Sequence, residues 1–130
     1  MKTITSNEAP AAIGPYSHAI ETSGCNQNCL IFTSGQIPIL PSTGELIDGG
    51  VKEQAEQVIE NLKAVLASSG SDLNHVVKTT CFLTDMANFT AFNAVYAVHF
   101  TNKPARSCVA VRALPKGALV EIEAIAERVG

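Results

Sequence analysis

A helix pattern near the middle of the chain, with strand patterns on both sides, limits the possible folds more than any other feature. Apolar residues recur every three or four positions from Val51 to Leu66, which is the spacing of one helix face. Gly70 follows, and glycine commonly ends helices. Because an amphipathic helix must bury its apolar face against another layer, the pattern predicts a helix packed on a sheet.

The remaining elements follow from similar reasoning. Asp85 offers an N-cap for a second helix, whose aromatic side chains, including Phe92 and Tyr96, recur at helical spacing and are expected in the core. Residues 37–50 hold two prolines and three glycines and are expected to form an ordered loop. Strand patterns cover residues 16–21, 30–34, 76–83, about 105–113 and about 118–128.

The last two strands are predicted to form a hairpin, because Leu114-Pro115-Lys116-Gly117 has the composition of a tight turn. Antiparallel pairing centred near Lys116 would place Glu121 opposite about Val111, five residues from Arg106. At about 3.3 Å per residue, that separation is roughly 17 Å. Arg106 and Glu121 of one chain are therefore predicted to lie too far apart to hold one small substrate.

Together the elements follow the order ββ(β)αβαββ in a single domain of residues 1–130. This order predicts an α+β fold in which a mixed sheet of about six strands carries both helices on one face. Along the final strands, both alternating sets of side chains contain apolar residues, such as Cys108 and Val109. The other sheet face is therefore expected to be partly buried, and self-association would cover it.

Charge and hydropathy argue against two classes of partner. The chain has nine basic and twelve acidic residues, a net charge of −3 and no basic stripe, so nucleic acid is not an expected partner. No stretch approaches the roughly 20 apolar residues of a membrane span, and residues 1–6 lack the apolar core of a signal peptide. We expect a soluble cytoplasmic protein that does not contact a membrane.

The four cysteines are expected to be reduced thiols, because a chain of this size without a signal peptide needs no disulfide framework. Cys25 and Cys29 resemble half a metal site, but no second Cys or His pair follows at a matching spacing, and no metal site is predicted. Cys81 and Cys108 lie in apolar strand patterns and are interpreted as small buried side chains. A nucleophilic Cys108 would need a nearby base and a lowered pKa.

Candidate chemistry comes from a cation and a carboxylate on the final two strands. Arg106 follows Pro104 at a strand start, and its guanidinium is a rigid fork suited to a carboxylate. Glu121 could then manage a proton or a water. The alternative is a strand-edge cation and a solvated carboxylate without function. Because the two lie far apart within one chain, we hypothesise a site between subunits, with Arg106 from one chain and Glu121 from its neighbour.

Four segments occur in an order that resembles a known family. They are Gly14-Pro15-Tyr16-Ser17, Thr33-Ser34-Gly35-Gln36-Ile37-Pro38, Pro104-Ala105-Arg106-Ser107-Cys108-Val109 and Glu121-Ile122-Glu123-Ala124-Ile125-Ala126. Between Thr5 and Arg128 the chain resembles the Rid, or YjgF-type, family of reactive-intermediate deaminases, and is most similar to its RidA subgroup. The resemblance implies a chorismate-mutase-like fold and a homotrimer with clefts between subunits.

The resemblance also implies a reaction, the hydrolysis of enamines and imines such as 2-aminoacrylate and 2-iminopropionate to 2-keto acids and ammonia, which removes reactive metabolites. Arg106 would bind the substrate carboxylate, and Glu121 would position the attacking water and move protons. No metal or organic cofactor is implied. The pocket would be lined by Tyr16, Ser34, Gly35 and Cys108, the last two chiefly through backbone groups.

Other interpretations stay open. The same fold could bind a 2-keto acid as a sensor without turnover, which would need Arg106 but not Glu121. The family resemblance also brings ribonuclease and chaperone-like roles, but the sequence offers neither a basic groove nor an aromatic platform for RNA. Tyr16 is equally compatible with a buried anchor. The three histidines, His18, His75 and His99, lie in different elements and are interpreted as structural.

Overall fold

The structure, a computed structural model, describes residues 1–25 and 29–129. The strands are β1 (Lys2–Ile4), β2 (Ala19–Glu21), β3 (Leu30–Thr33), β4 (Val76–Leu83), β5 (Ala105–Ala110) and β6 (Val120–Glu127). The helices are α1 (Val51–Ser68) and α2 (Phe89–His99), and short 3₁₀ turns lie at Leu73–His75, Met86–Asn88 and Pro115–Gly117. The strands form one mixed sheet in the order β1-β2-β3-β6-β4-β5, so the predicted α+β fold is confirmed.

Helix α1 follows the predicted apolar spacing. Its N-terminus is capped by Glu53, whose carboxylate accepts the Gly50 N–H at 3.2 Å, and Gly70 follows its end with φ +78°. Asp85 caps the 3₁₀ turn before α2 rather than α2 itself, because its carboxylate accepts the Ala87 N–H at 2.9 Å. In residues 1–25 and 29–129, neither helix is long and apolar enough to cross a membrane.

Both helices pack on the same face of the sheet. Alternate residues of β6, from Val120 to Ala126, are buried in one core with Leu62 of α1 and Phe92 of α2. The opposite sheet face, which we call the open face, displays Phe32, Thr80, Val109, Glu121 and Glu123. Phe32 and Val109 are 41% and 43% exposed, so this face has apolar groups that a partner could cover.

The predicted hairpin of β5 and β6 is wrong. Strand β4 lies between them, pairing in parallel with β5 and antiparallel with β6. The physical reason is the helix before β5, because a strand that follows a helical crossover returns parallel to the strand before the helix. The turn-like residues 114–117 instead form part of a connection that crosses from the sheet edge to its interior.

The expectation of four reduced thiols is wrong for two of them. Cys25 and Cys29 are joined by a disulfide, with Cα atoms 5.6 Å apart, while Cys81 and Cys108 are free. Antiparallel pairing of β2 and β3 brings the two chain segments beside each other. The residues of the predicted turn between the two cysteines lie outside the described part of the chain. While bonded, the pair is not available as half of a metal site.

Candidate active site

A cavity of about 190 Å³ lies where the loop after β3 meets the start of β6. We call it the Glu121 cavity. It brings together four of the predicted site residues with three apolar ones, and its lining consists of Ile13, Tyr16, Ser34, Gly35, Ile37, Pro115 and Glu121. Residues from four separate parts of the sequence therefore converge on one carboxylate.

Ser34 holds the loop after β3 in place. Its backbone N–H donates to the His18 carbonyl at 2.9 Å, and its hydroxyl donates to the Ser17 carbonyl at 2.6 Å. The hydroxyl hydrogen is therefore committed to the protein, which leaves the oxygen of Ser34 as an acceptor toward the cavity. Ser34 lines the site as predicted, and it also anchors the loop to the segment that carries Tyr16.

Gly35 and Gln36, which follow Ser34, attach the loop to β6. Gln36 and Ile122 exchange two backbone hydrogen bonds of 2.9 and 3.2 Å, which extends the sheet by one residue pair. This pairing lays the backbone of Gly35 against the carboxylate of Glu121. The loop and the strand thereby form one rigid wall of the cavity.

Glu121 is a partly buried carboxyl group. Its burial, together with the negative charge of Glu123 on the same sheet face, raises the pKa of Glu121 above the ordinary carboxyl value. A carboxyl group whose pKa moves toward neutrality exchanges protons more readily under physiological conditions. The alternative of a fully solvated carboxylate does not fit this partly buried environment.

Tyr16 is 42% exposed, so the interpretation as a buried anchor is wrong. Its hydroxyl oxygen accepts the backbone N–H of Ile13 at 3.3 Å. This bond closes a turn in the segment before β2, and Ile13 and Tyr16 both line the Glu121 cavity. The side chain therefore contributes one wall of the site rather than packing in the core.

Arg106 lies on the edge strand β5 and faces α2. Its Nη1 donates to Oδ1 of Asn93 at 2.7 Å, and its Cζ lies 4.7 Å from the ring centroid of Tyr96 and 5.6 Å from that of Phe89. No salt bridge involves Arg106 within residues 1–25 and 29–129. The guanidinium borders a second cavity, of about 360 Å³, and keeps its full positive charge.

Arg106 and Glu121 do not meet within one chain. Arg106 is in register with Thr79 of β4, whereas Glu121 is in register with Phe82, three residues further along the same strand. With β4 between them, their Cα atoms are separated by roughly 14 Å, from strand spacings of about 4.8 Å and rises of about 3.3 Å. Arg106 faces the helices and Glu121 the open face. The predicted separation thus holds, although for a different strand arrangement.

Cys108 lies two residues after Arg106 and faces the same side of β5. Burial raises the pKa of the Cys108 thiol, and the charge of Arg106 offsets only part of that effect. Cys108 is therefore a protonated thiol near neutral pH, without the lowered pKa that a nucleophile needs. Cys108 is not among the residues that line the Glu121 cavity or the cavity beside Arg106, so its place in the substrate pocket stays a prediction.

No sequence pattern singles out Asn93, whereas the aromatic spacing of α2 predicts a core position for Tyr96. Tyr96 is indeed buried, yet its ring also supports Arg106. A helix residue such as Asn93 carries no local signal for this role, because only the packing of α2 beside β5 brings it to Arg106. The spacing of Asn93 and Tyr96, three residues apart on one helix face, is the one signal that pairs them.

All three histidines have structural partners. His18 is buried and contacts the Ser6 N–H at 2.9 Å and the Pro10 carbonyl at 2.8 Å. His75 and His99 pair with the carboxylates of Asp72 and Glu56, respectively. These contacts agree with the interpretation of the histidines as structural.

The sequence matches a family model over nearly its whole length. Residues 6–128 match the model described as endoribonuclease L-PSP. The chain belongs to this family, that of the YjgF and Rid proteins. The resemblance to the Rid family seen in the four sequence segments is therefore confirmed.

Relatives of this Rid-family chain cover it almost completely. A mouse protein named 2-iminobutanoate/2-iminopropanoate deaminase is 47% identical over 126 residues, which are 96% of this chain and 90% of the mouse protein. Protein HMF1 of Saccharomyces cerevisiae is 54% identical over 119 residues, or 91% of this chain and 88% of HMF1. The deaminase name of the mouse protein states the same reaction class as the resemblance implies.

Solved structures of the Rid family agree with the fold. The YjgF gene product of E. coli superposes with a TM-score of 0.88 and 44% identity, covering 99% of this chain and 100% of that one. E. coli TdcF, solved with bound serine, superposes with a TM-score of 0.87 and 41% identity over the same shares of the two chains. The fold of the chain is thus that of YjgF.

Proposed function

We propose that this Rid-family chain hydrolyses enamine and imine intermediates of 2-amino acids, such as 2-aminoacrylate and 2-iminopropionate, to 2-keto acids and ammonia. One observation carries the proposal: within residues 1–25 and 29–129, Arg106 forms no salt bridge, and Glu121, a carboxyl group with a raised pKa, lies on the opposite face of the sheet. The name of the mouse relative supports the reaction class.

The two halves of the site come from neighbouring subunits of a homotrimer in this proposal. Arg106 lies on the edge strand β5, where another chain can approach it, and Glu121 lies on the open face near exposed apolar groups. A second chain that covers the open face would bring its own β5 edge toward the Glu121 cavity. Each interface would then hold one complete site, which agrees with the separation of the two residues within a chain.

The reaction begins with binding of the substrate carboxylate. The planar guanidinium of Arg106 donates hydrogen bonds to it, which places the C=N carbon beside Glu121 of the neighbouring chain. An enamine substrate first gains a proton on its terminal carbon and loses one from its nitrogen, which gives the imine. The small, apolar Glu121 cavity then holds the substrate side chain against Ile13, Ile37 and Pro115.

Hydrolysis then needs one water and the transfer of protons. The water oxygen adds to the imine carbon while Glu121 takes a proton from the water and gives it to the nitrogen, which forms a carbinolamine. Glu121 then takes the hydroxyl proton of the carbinolamine and gives one to the amino nitrogen, so that the C=O bond forms, the C–N bond breaks and ammonia departs. A raised pKa suits Glu121 to both directions of proton transfer. Because the imine carbon is already electrophilic, one arginine and one carboxyl group are enough to accelerate its hydrolysis.

The test is a competition between the protein and semicarbazide. An amino acid oxidase generates the 2-imino acid in place, and the measured quantity is the decrease in semicarbazone formation as 2-keto acid appears. Wild type is compared with R106A and E121Q, and with the exposed-residue controls R112A and E45Q. We expect wild type and both controls to accelerate hydrolysis and the two site variants to lose the effect.

Mixing subunits tests the division of the site. R106A and E121Q are combined, unfolded and refolded together, and assayed against each variant alone. In a random mixture about a quarter of the interfaces would hold Arg106 and Glu121 intact, so activity should reappear at about that fraction of wild type. Absence of any recovery in mixed trimers would contradict a site shared between chains.

A sensor that binds 2-keto acids without turnover is the competing function. Both functions need Arg106, but only the deaminase needs Glu121. Binding of pyruvate that depends on Arg106, combined with no acceleration of imine hydrolysis by wild type, would replace the enzymatic proposal with the sensor.

A further inference from the structure

The amide of Asn93 is the group that holds Arg106 in place. Asn93 lies in the middle of α2, and its Oδ1 accepts the Nη1–H of Arg106 at 2.7 Å, a short hydrogen bond to a charged donor. A neutral amide fixes one corner of the guanidinium without cancelling its charge. A guanidinium has five N–H donors, so donors remain for a ligand.

The aromatic ring of Tyr96 packs against the same guanidinium. Its ring centroid lies 4.7 Å from Cζ of Arg106, which is within the range of a cation–π contact. The ring is itself held by a buried hydrogen bond of 2.7 Å between its hydroxyl and Oγ1 of Thr79. Because Thr79 is fully buried on the interior strand β4, the support under Arg106 is part of the core.

We propose that Asn93 and Tyr96 are positioning residues that present Arg106 as an uncompensated, oriented cation for a carboxylate ligand. The inference deepens the proposed function, on which it rests for the identity of that ligand as a 2-imino or 2-keto acid. The decisive point is the chemical type of residue 93. An amide orients the arginine and leaves it free to bind an anion, whereas a carboxylate in the same position would occupy it.

Two substitutions at Asn93 distinguish the orientation of the Arg106 side chain from the effect of a negative charge at position 93. N93D keeps the size and the acceptor oxygen and turns the contact into an ion pair, so the protein should fold at least as well as wild type. Its added negative charge competes with the ligand and should weaken pyruvate binding by more than about a hundredfold. N93A removes the acceptor and should weaken binding by about tenfold, since a hydrogen bond to a charged group is lost.

The matched control is N102A. Asn102 also uses its side-chain amide in hydrogen bonds, donating to the backbone carbonyls of Asn74 and Val76, and neither bond involves Arg106. N102A should lower the melting temperature and leave pyruvate binding within about twofold of wild type. If Asn93 had a purely structural role, N93A would likewise lower the melting temperature and leave pyruvate binding unchanged. N93D would then also bind pyruvate as wild type does.

Two substitutions at Tyr96 isolate the ring from its hydroxyl. Y96F keeps the ring under Arg106 and loses only the Thr79 hydrogen bond, so pyruvate binding should be retained. Y96L removes the ring, and binding should fall by about threefold to tenfold, as expected for a cation–π contact. Equal binding by Y96F and Y96L would show that the ring does not position Arg106.

The experiment measures pyruvate binding to the whole protein by titration calorimetry, thermal unfolding of every variant, and KM and kcat in the imine assay. The expected signature is a raised KM with little change in kcat for N93A. Wild-type binding by a folded N93D, or no pyruvate binding by wild type, would overturn the inference. Loss of binding in N93D and R106A beside a catalytically silent wild type would sustain it while the deaminase proposal fails.

Discussion

Gly35 and Glu121 lie so close together that a Cβ atom at position 35 would be 2.6 Å from Oε2 of Glu121. Such a contact is far inside van der Waals distance. Gly35 does not have a positive φ, so the glycine is needed for space and not for its backbone freedom. The position of the Glu121 carboxylate therefore depends on the absence of a side chain at Gly35, a residue remote from it in sequence.

The first prediction follows from that contact. G35A should displace the Glu121 carboxylate and lower kcat for imine hydrolysis by at least about tenfold, because small misplacements of a proton-transfer group are costly. The fold should be retained, since the displaced atoms are the end of a flexible side chain. G14A is the matched control, because a Cβ there meets only the Tyr16 ring, at 3.5 Å. Full activity of G35A would mean that Glu121 needs no fixed position.

A second prediction concerns the pH dependence of activity. The negative charge of Glu123 helps to raise the pKa of Glu121, so E123Q should lower that pKa. Because the reaction needs ionised Glu121 as the base, the acidic limb of kcat/KM should move to lower pH in E123Q. E127Q, at the far end of the same strand, serves as the control. An unchanged or upward-moving acidic limb in E123Q would contradict this assignment.

A third prediction links Glu121 to stability. Because the pKa of Glu121 is higher in the folded chain than its ordinary value of 4.5, the folded state binds more protons than the unfolded state between those two values. Stability should therefore fall as the pH rises through that window. E121Q should exceed wild type in unfolding free energy at neutral pH, and the gain should disappear below pH 4.5. Denaturant unfolding of wild type and E121Q, at neutral pH and below pH 4.5, measures this difference in unfolding free energy. E45Q is the exposed control.

The cysteines provide a fourth prediction. Burial raises the pKa of the Cys81 thiol to about 12, so Cys81 should resist alkylation in the native protein and react only on unfolding. Cys25 and Cys29 should become reactive on reduction of their disulfide, without unfolding. Mass spectrometry of iodoacetamide-treated protein distinguishes the sites. Native alkylation of Cys81 at the rate of a free thiol would indicate that its strand opens readily.

Much of the fold could be predicted from local patterns. The spacing of apolar residues in α1 and the β-branched run of β4 identify these elements because a helix and a strand each bury one side at a fixed period. The hairpin at residues 114–117 was wrong because turn composition is shared by many connections. The helix between β4 and β5, and the pairing of β6 with both β3 and β4, determined where β5 lies.

The candidate site, like the fold, has a part that the sequence predicts and a part that only the tertiary structure decides. Residue type was enough to select Arg106 and Glu121 as candidates, since the chemistry of a guanidinium and a carboxyl group belongs to the side chains. Gly35 and the proposed reaction class came from the motifs that the chain shares with the Rid family. Tertiary packing decided the rest: which sheet face each side chain occupies, the partnership of Asn93 with Arg106, the raised pKa of Glu121 and the pairing of Cys25 with Cys29. These properties arise from distances and burial between residues remote in sequence, and no local pattern encodes them.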